Sequence, residues 1–223
     1  ILSLSKETLK KQDYHHIHQT IEQGMPVVLF DRTAPEINCD QVVVNDEQGA
    51  MLATQHLLEQ RRKNILLVTT EDYIIVGRLR THGYVKALRN AGIPLDNSLI
   101  IKTEDSKRSD IILPALEEEL KSALKNKPEI DAIFAVNEIY AAVAMRVIRT
   151  LGLHIPNDIA VICFTDGVIS KYATPALTTV KQHGTQIGIE AANLLIDRLE
   201  IENMEETSIT KILPCEIVSR DST

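Results

Sequence analysis

The sequence predicts an α/β fold in which a parallel sheet is covered by helices. Three observations carry that prediction. The run Ile159-Ala-Val-Ile-Cys-Phe164 is apolar throughout, follows Pro156-Asn157-Asp158 and breaks into Thr165-Asp166. A strand without polar alternation is one buried on both faces, as the central strand of a parallel sheet is. Runs of that kind alternate with helix-length segments along almost the whole chain. The helical segments also carry their own stop signals, as where Gly92 and then Pro94 close the one holding Val85, Leu88 and Ala91.

Taken in order, Ile1 to Leu4, Pro26 to Phe30 and Gln41 to Val44 read as strands because each is an apolar stretch of strand length. Leu52, Leu57 and Leu58 mark a helix, followed by a strand at Asn64 to Thr69, the Val85 helix and a strand at Ser98 to Thr103. Ser109 to Asn126 predicts a longer helix, since Ile112, Leu116, Leu120 and Leu124 recur at four-residue steps. A strand at Asp131 to Val136 leads into a helix over Asn137 to Thr150, stopped by Gly152. The Asp158 to Phe164 strand, a strand at Leu177 to Lys181 and a helix over Thr185 to Ile201 follow, before a last extended stretch at about Ser208 to Val218. No internal repeat, low-complexity tract or linker interrupts the pattern.

Composition narrows the function classes. The 223 residues are 44% hydrophobic, ample for a core, and the net charge is −7. No dense run of Lys and Arg is present, so the chain is not expected to hold DNA by itself, because such binding rests on neutralising many phosphates. Arg61-Arg62-Lys63 reads as a solvated turn between helix and strand. Cys39, Cys163 and Cys215 are odd in number and lack paired spacing, which speaks for a reducing compartment. No apolar run reaches the roughly 18 residues of a membrane span, and the opening residues lack the basic start and cleavage site of a signal peptide. A soluble cytoplasmic protein is expected.

The residues just past each strand form a set: Ser5, Asp31-Arg32, Asn45-Asp46, Thr69-Thr70, Glu104-Asp105, Asn137, Thr165-Asp166 and Gln182. In a parallel sheet such tips share one edge, where ligands of open α/β sheets bind. Amides, hydroxyls and carboxylates together suit a polar, polyhydroxylated small molecule. Strand ends are also polar simply because loops follow them, so the set carries more than any member. No catalytic residue, metal site or cofactor is predicted. Phosphate-loop, dinucleotide and nucleophile-elbow motifs are absent. His15-His16-x-His18 is a poor ligand set on a helix and reads, like Glu117-Glu118-Glu119, as a solvated face. Nothing pairs a nucleophile with a base, which favours binding over turnover and leaves a sugar-modifying hydrolase without nameable catalytic groups.

Several stretches together resemble the effector-binding portion of the lac repressor and galactose repressor (LacI/GalR) family of bacterial transcription regulators. They begin with Gly24-Met-Pro-Val-Val-Leu-Phe-Asp-Arg32, Gly49 through His56-Leu57, Asn64-Ile-Leu-Leu-Val68, and Arg80-Thr-His-Gly-Tyr84 with Ala87-Leu88. Asp131-Ala-Ile-Phe-Ala-Val-Asn137, Ile155-Pro-Asn-Asp-Ile-Ala-Val161, Pro175-Ala-Leu-Thr-Thr-Val-Lys-Gln182, and Leu213-Pro214 with Arg220 follow in the family's order. The resemblance covers virtually the whole chain. It implies a type I periplasmic-binding-protein-like fold: two parallel-sheet lobes, three crossovers and a small-molecule effector, a sugar, sugar phosphate or similar, between the lobes. By that pattern the first lobe holds 1–44 plus 183–205 and is truncated at its N-terminus. The second holds 45–182 plus 206–223, with crossovers near Asn45, Gln182 and Glu206.

The resemblance further implies a homodimer that reaches operator DNA only through an N-terminal helix-turn-helix, which this chain lacks, so that a piece of a longer regulator is expected. A solute-binding component of a transporter shares the fold and is the alternative. Carried over to this sequence, Asp31, Arg80, Asn137 and Gln182 are expected to bind ligand, with Thr165 and Asp166 at the late strand's tip; Ser5 from the strand-tip set and Tyr73 as a ring complete the expected ligand-binding residues. Arg80 admits two readings, a forked grip on ligand oxygens or a salt bridge. The chain departs from the family at Cys163-Phe164-Thr165-Asp166, where Gly-Phe/Tyr-Asp-Asp is usual, so the Thr165 hydroxyl replaces a carboxylate unless Asp166 rotates into its place. That exchange suggests a ligand poorer in donors or one carrying negative charge. Asn137 is followed by Glu138 rather than Asp, and acids at Glu104 and Asp105 stand where an aromatic is frequent; Tyr73, Tyr140 or Phe164 can supply a ring instead.

Overall fold

The computed structural model describes residues 1–104, 109–200 and 207–223. In chain order its first elements are α1 (Lys6–Lys11), α2 (His15–Glu22), β1 (Val28–Phe30), β2 (Asp40–Val44), α3 (Asp46–Glu59), β3 (Ile65–Thr70) and α4 (Ile75–Asn90). They are followed by β4 (Ile100–Thr103), α5 (Ser109–Asn126), β5 (Ala132–Ala135), α6 (Glu138–Thr150), β6 (Ala160–Phe164) and α7 (Val168–Tyr172). β7 (Thr178–Lys181), α8 (Gly184–Glu200), β8 (Thr210–Leu213) and β9 (Glu216–Val218) complete the described residues. They group into a smaller unit, 1–45, 73–76 and 183–214, and a larger one, 46–72, 77–182 and 215–223.

The larger unit is built on a sheet of order β4-β3-β5-β6-β7-β9 among the described residues. Its first five strands are parallel and β9 runs antiparallel to β7. Every residue of β3, β5 and β6 is buried, which is why those runs show no polar alternation. α6 packs on β5 and β6, and α3 on β6, β7 and β9. Each buried Leu, Ile or Phe of this core contributes about 1.5–3 kcal/mol. Two small details fix the helices. Tyr84 of α4 is buried and its hydroxyl donates to the Ile65 carbonyl oxygen at 2.8 Å. A Cβ added at Gly83 would fall 2.2 Å from the Glu47 carbonyl oxygen, so α4 and α3 meet backbone to backbone there.

The C-terminal residues are stitched into the same unit. Ser222 is buried, its Oγ donates to the Val161 carbonyl at 2.6 Å and accepts from the Thr178 amide at 2.8 Å. The Arg220 Nη1 donates to the Leu177 carbonyl at 2.6 Å.

The smaller unit carries the sheet β1-β2-β8, parallel throughout, with α8 on β1 and β2. Leu4, Leu9, Tyr14, Ile17, Val27, Leu29, Ala34, Ile37 and Cys39 form its core. Asp40 is buried and takes Arg198 Nε at 2.7 Å and Nη2 at 2.8 Å, a two-point grip, while also accepting from the Ile209 amide at 2.8 Å.

Two expectations are corrected. Ile1 to Leu4 is not a strand; Leu2 makes an isolated parallel bridge to Leu29, and α1 starts at Lys6. The Leu2 amide donates to the Val28 carbonyl and the Leu4 amide to the Arg32 carbonyl, both at 3.0 Å, with left-handed Asp31 (φ 58°) between the two acceptors, so the pairing does not run on as a regular ladder. The stretch from Ser208 to Val218 is two strands in two sheets, β8 beside β2 in the smaller unit and β9 beside β7 in the larger. Pro214, which has no N–H to continue a ladder, stands between them. Residues 73–76 likewise group with the smaller unit. The crossover placed near Glu206 lies outside the described residues, and the last passage between units falls at Pro214–Cys215.

Candidate functional site

Because β3 to β7 are parallel, their carboxyl tips lie along one edge of the larger sheet. Thr165, straight after β6, adopts φ +80°. A β-branched residue there is a genuine outlier, and left-handed backbone costs about 1–2 kcal/mol. Strain persists where neighbours hold it. The Thr165 amide donates to the Val180 carbonyl at 2.9 Å, its carbonyl accepts from Ser170 Oγ at 3.3 Å, and its Oγ1 donates to Gln182 Oε1 at 2.8 Å. Thr165 and Gln182, 17 residues apart in sequence, therefore present one joint polar surface. It offers the Gln182 amide protons and the Thr165 oxygen lone pairs.

Asp166 is engaged within the larger unit. Its Oδ1 accepts from Arg220 Nη2 at 2.5 Å and from Thr179 Oγ1 at 3.2 Å. Burial pushes this carboxyl up, but the hydrogen bond and charge of Arg220 outweigh it and hold the group below its ordinary range. Asn137 caps α6, its Oδ1 accepting from the Tyr140 amide at 2.8 Å. Glu138 explains its own departure from the family pattern. Its Oε1 accepts from the Gly167 amide at 2.6 Å, the Ser170 amide at 3.1 Å and Ser170 Oγ at 2.6 Å, so the carboxylate holds the start of α7. A Cβ at Gly167 would come within 2.4 Å of Glu138 Oε2, which makes glycine the residue that admits this contact.

Arg80 makes a salt bridge in the structure, one of its two readings. The residue is 5% exposed. Its Nε and Nη2 donate to Asp46 Oδ1 at 2.8 and 2.7 Å, and Nη1 donates to the Val136 carbonyl at 2.6 Å. The guanidinium also lies over the Phe164 ring. Thr70 Oγ1 at the end of β3, against Gly77 of α4, is buried without a hydrogen-bond partner among the described residues. Such a hydroxyl costs about 1–3 kcal/mol.

In the smaller unit, Ser5 caps α1, its Oγ accepting from the Thr8 amide at 3.0 Å. Asp31 pairs with Arg32 at 3.3 Å. The Tyr73 ring has Lys10 Nζ 5.8 Å from its centre, and its buried hydroxyl has no partner among the described residues, as is true of Ser3 Oγ. Glu104 is half-buried, and Asp105 lies outside the described residues. Sequence reasoning missed the Glu138 cap, the Asp46–Arg80 pair and the orphan Thr70 hydroxyl. A signal existed for the first: Gly167 directly after a strand tip marks a close approach.

Among the described residues no group of three or more His, Cys, Asp or Glu could hold a metal ion, and no helix is long and apolar enough to cross a membrane.

Comparison with known proteins now adds to this geometry. Residues 54–223 match the family described as periplasmic binding protein-like domain. The transcriptional regulator CelR of Thermobifida fusca is 29% identical over 203 residues, covering 90% of this chain and 57% of CelR. The regulator DegA of Bacillus subtilis is 30% identical over 207 residues, covering 93% of this chain and 59% of DegA. Both are described as of helix-turn-helix type. Among solved structures, a CelR–cellobiose complex matches with a TM-score of 0.81 at 27% identity, covering 93% of this chain and 62% of that one. A LacI-family regulator from Enterococcus faecium with bound ribose matches at 0.79 and 26%, covering 98% and 75%. The chain belongs to the periplasmic binding protein-like domain family, and its relatives are LacI-family transcriptional regulators rather than enzymes. It spans less than three fifths of the length of these two curated relatives.

Proposed function

We propose that this chain is the effector-sensing portion of a LacI-type transcriptional regulator and that its effector is a small sugar or sugar derivative. The observation that carries the reading is the strained, jointly held Thr165–Gln182 pair on the carboxyl edge of a parallel sheet, where α/β folds bind ligands. The helix-turn-helix naming of the relatives and the cellobiose and ribose bound to two structural neighbours support a sugar-responsive regulator over a transport component. Thr165, Gln182 and the Asn137 amide are the ligand contacts in the larger unit. Arg80 and Asp166 act there by holding neighbouring strands. Ser5, Asp31 and Tyr73 are the candidate contacts of the smaller unit. The protein works in the cytoplasm as a homodimer, performs no catalysis, and meets operator DNA through a helix-turn-helix of the kind its relatives carry.

Effector binding biases a conformational equilibrium by its differential affinity for two states. A thermal-shift and calorimetric screen against mono- and disaccharides tests the proposal. A sugar should raise the melting temperature of the wild type, and Gln182→Ala should lose most of that rise while retaining its circular dichroism spectrum. Absence of any stabilising sugar would overturn the reading.

A further inference from the structure

We infer that the carboxyl edge of the larger sheet selects an uncharged polyhydroxylated ligand and rejects phosphorylated or carboxylated counterparts; this rests on the effector-sensing reading above. The hydroxyl that replaces a carboxylate at Thr165 left two options, a ligand poorer in donors or one carrying negative charge. The pairing of the charges speaks against the second. Among the described residues, the two arginines in the buried part of this edge are committed inside the protein. Arg80 directs three nitrogens at Asp46 and the Val136 carbonyl. Arg220 is held by Asp166, the Leu177 carbonyl and Thr179. With both arginines neutralised by carboxylates, neither is left with the net charge needed to offset the desolvation of a phosphate.

Acids share this edge. Glu138 is turned onto the amides of Gly167 and Ser170, and Glu71 and Glu104 follow β3 and β4. Further cations near these tips lie where solvent and salt screen them: Arg78 in the first turn of α4, Lys171 in α7, Lys102 of β4 paired with Asp72, and Lys181 of β7 paired with Glu216. What the edge offers a ligand is neutral: the Thr165–Gln182 pair and the Asn137 amide. Such groups exchange hydrogen bonds with hydroxyls and provide no countercharge for an anion.

Calorimetric titration of the whole chain with matched pairs decides the matter: glucose and glucose 6-phosphate, ribose and ribose 5-phosphate, cellobiose and its 6-phosphate. The neutral member of the responding pair should bind at least tenfold more tightly than its phosphate. A phosphate that binds as well or better would overturn the inference and leave the sugar-sensing reading standing. No heat or stabilisation from any member would overturn that reading itself. Asp46→Asn, which removes the countercharge of Arg80, should narrow the ratio toward the phosphate in a protein with an unchanged circular dichroism spectrum. An unchanged ratio in the folded variant would overturn the role given to the Asp46–Arg80 pair.

Discussion

The guanidinium carbon of Arg80 lies 3.7 Å from the centre of the Phe164 ring. The same group grips Asp46 at 2.7 and 2.8 Å and the Val136 carbonyl at 2.6 Å. One side chain on α4 therefore ties together the start of α3, the end of β5 and the last residue of β6. The cation over the ring adds up to about 2 kcal/mol when desolvated.

Arg80→Ala should destabilise the fold by about 3–5 kcal/mol, because it strands the buried Asp46 carboxylate. Replacing both partners, Arg80→Met with Asp46→Leu, should recover much of the loss. Chemical denaturation of the single and double variants checks this, and a double variant no more stable than Arg80→Ala would refute it.

Thr165→Gly trades two effects of similar size. It relieves left-handed strain of about 1–2 kcal/mol and removes a hydrogen bond to Gln182 worth about 0.5–1.5 kcal/mol. Global stability should change by less than about 1 kcal/mol, while the stabilisation by sugar is lost. A variant that keeps the full sugar response would show that the hydroxyl is not a contact.

A Cβ at Gly77 would sit 1.9 Å from Thr70 Oγ1. Gly77→Ala should cost about 1–3 kcal/mol through overpacking, and adding Thr70→Ala should relieve part of it by removing the offending oxygen. The coupling is read from a double-mutant cycle; strict additivity would contradict the contact.

Asp40 and Asp166 each resist burial, which alone would raise their carboxyls. Arg198 and Arg220 outweigh it and hold both below the ordinary 3.8. A depressed folded value means stability that is complete above the ordinary value and lost as pH falls through the lower one. Unfolding midpoints should therefore stay level above about pH 5 and fall steeply below about pH 4. Arg198→Gln should flatten that acid limb. An acid limb as steep as that of the wild type would exclude the Asp40 pair as a source.

Much of the architecture was legible because burial on both faces writes itself as uninterrupted apolar residues. Ile65 to Val68 and Ala160 to Phe164 are such runs, and both are strands of the larger sheet. The four-residue spacing of Ile112, Leu116, Leu120 and Leu124 likewise marks the buried side of α5. What local pattern does not encode is which partner a segment finds. Ile1 to Leu4 has strand composition, yet it makes one isolated bridge to β1 and a separate bond from Leu4 to the Arg32 carbonyl beyond left-handed Asp31. Thr210–Leu213 and Glu216–Val218 read as one extended stretch and join different sheets.

At the candidate site, residue types were legible and their commitments were not. Asp166, Glu138 and Arg80 are polar residues at strand tips or near them in any reading of the sequence. Only three-dimensional pairing reveals that Arg220, the start of α7 and Asp46 already occupy them. Thr165 and Gln182 were named for their places at strand ends, and the bond between them was invisible from either place.

That Thr165 and Gln182 hold chiefly each other, whereas Arg80 fastens three elements at once, has a consequence for how such a sensor could diversify. Exchanges at the first pair disturb one hydrogen bond and leave the framework standing, so new chemical tastes can be sampled there a single step at a time. Exchanges at Arg80 must arrive together with a compensating change at Asp46, and a lineage crosses that gap far less readily.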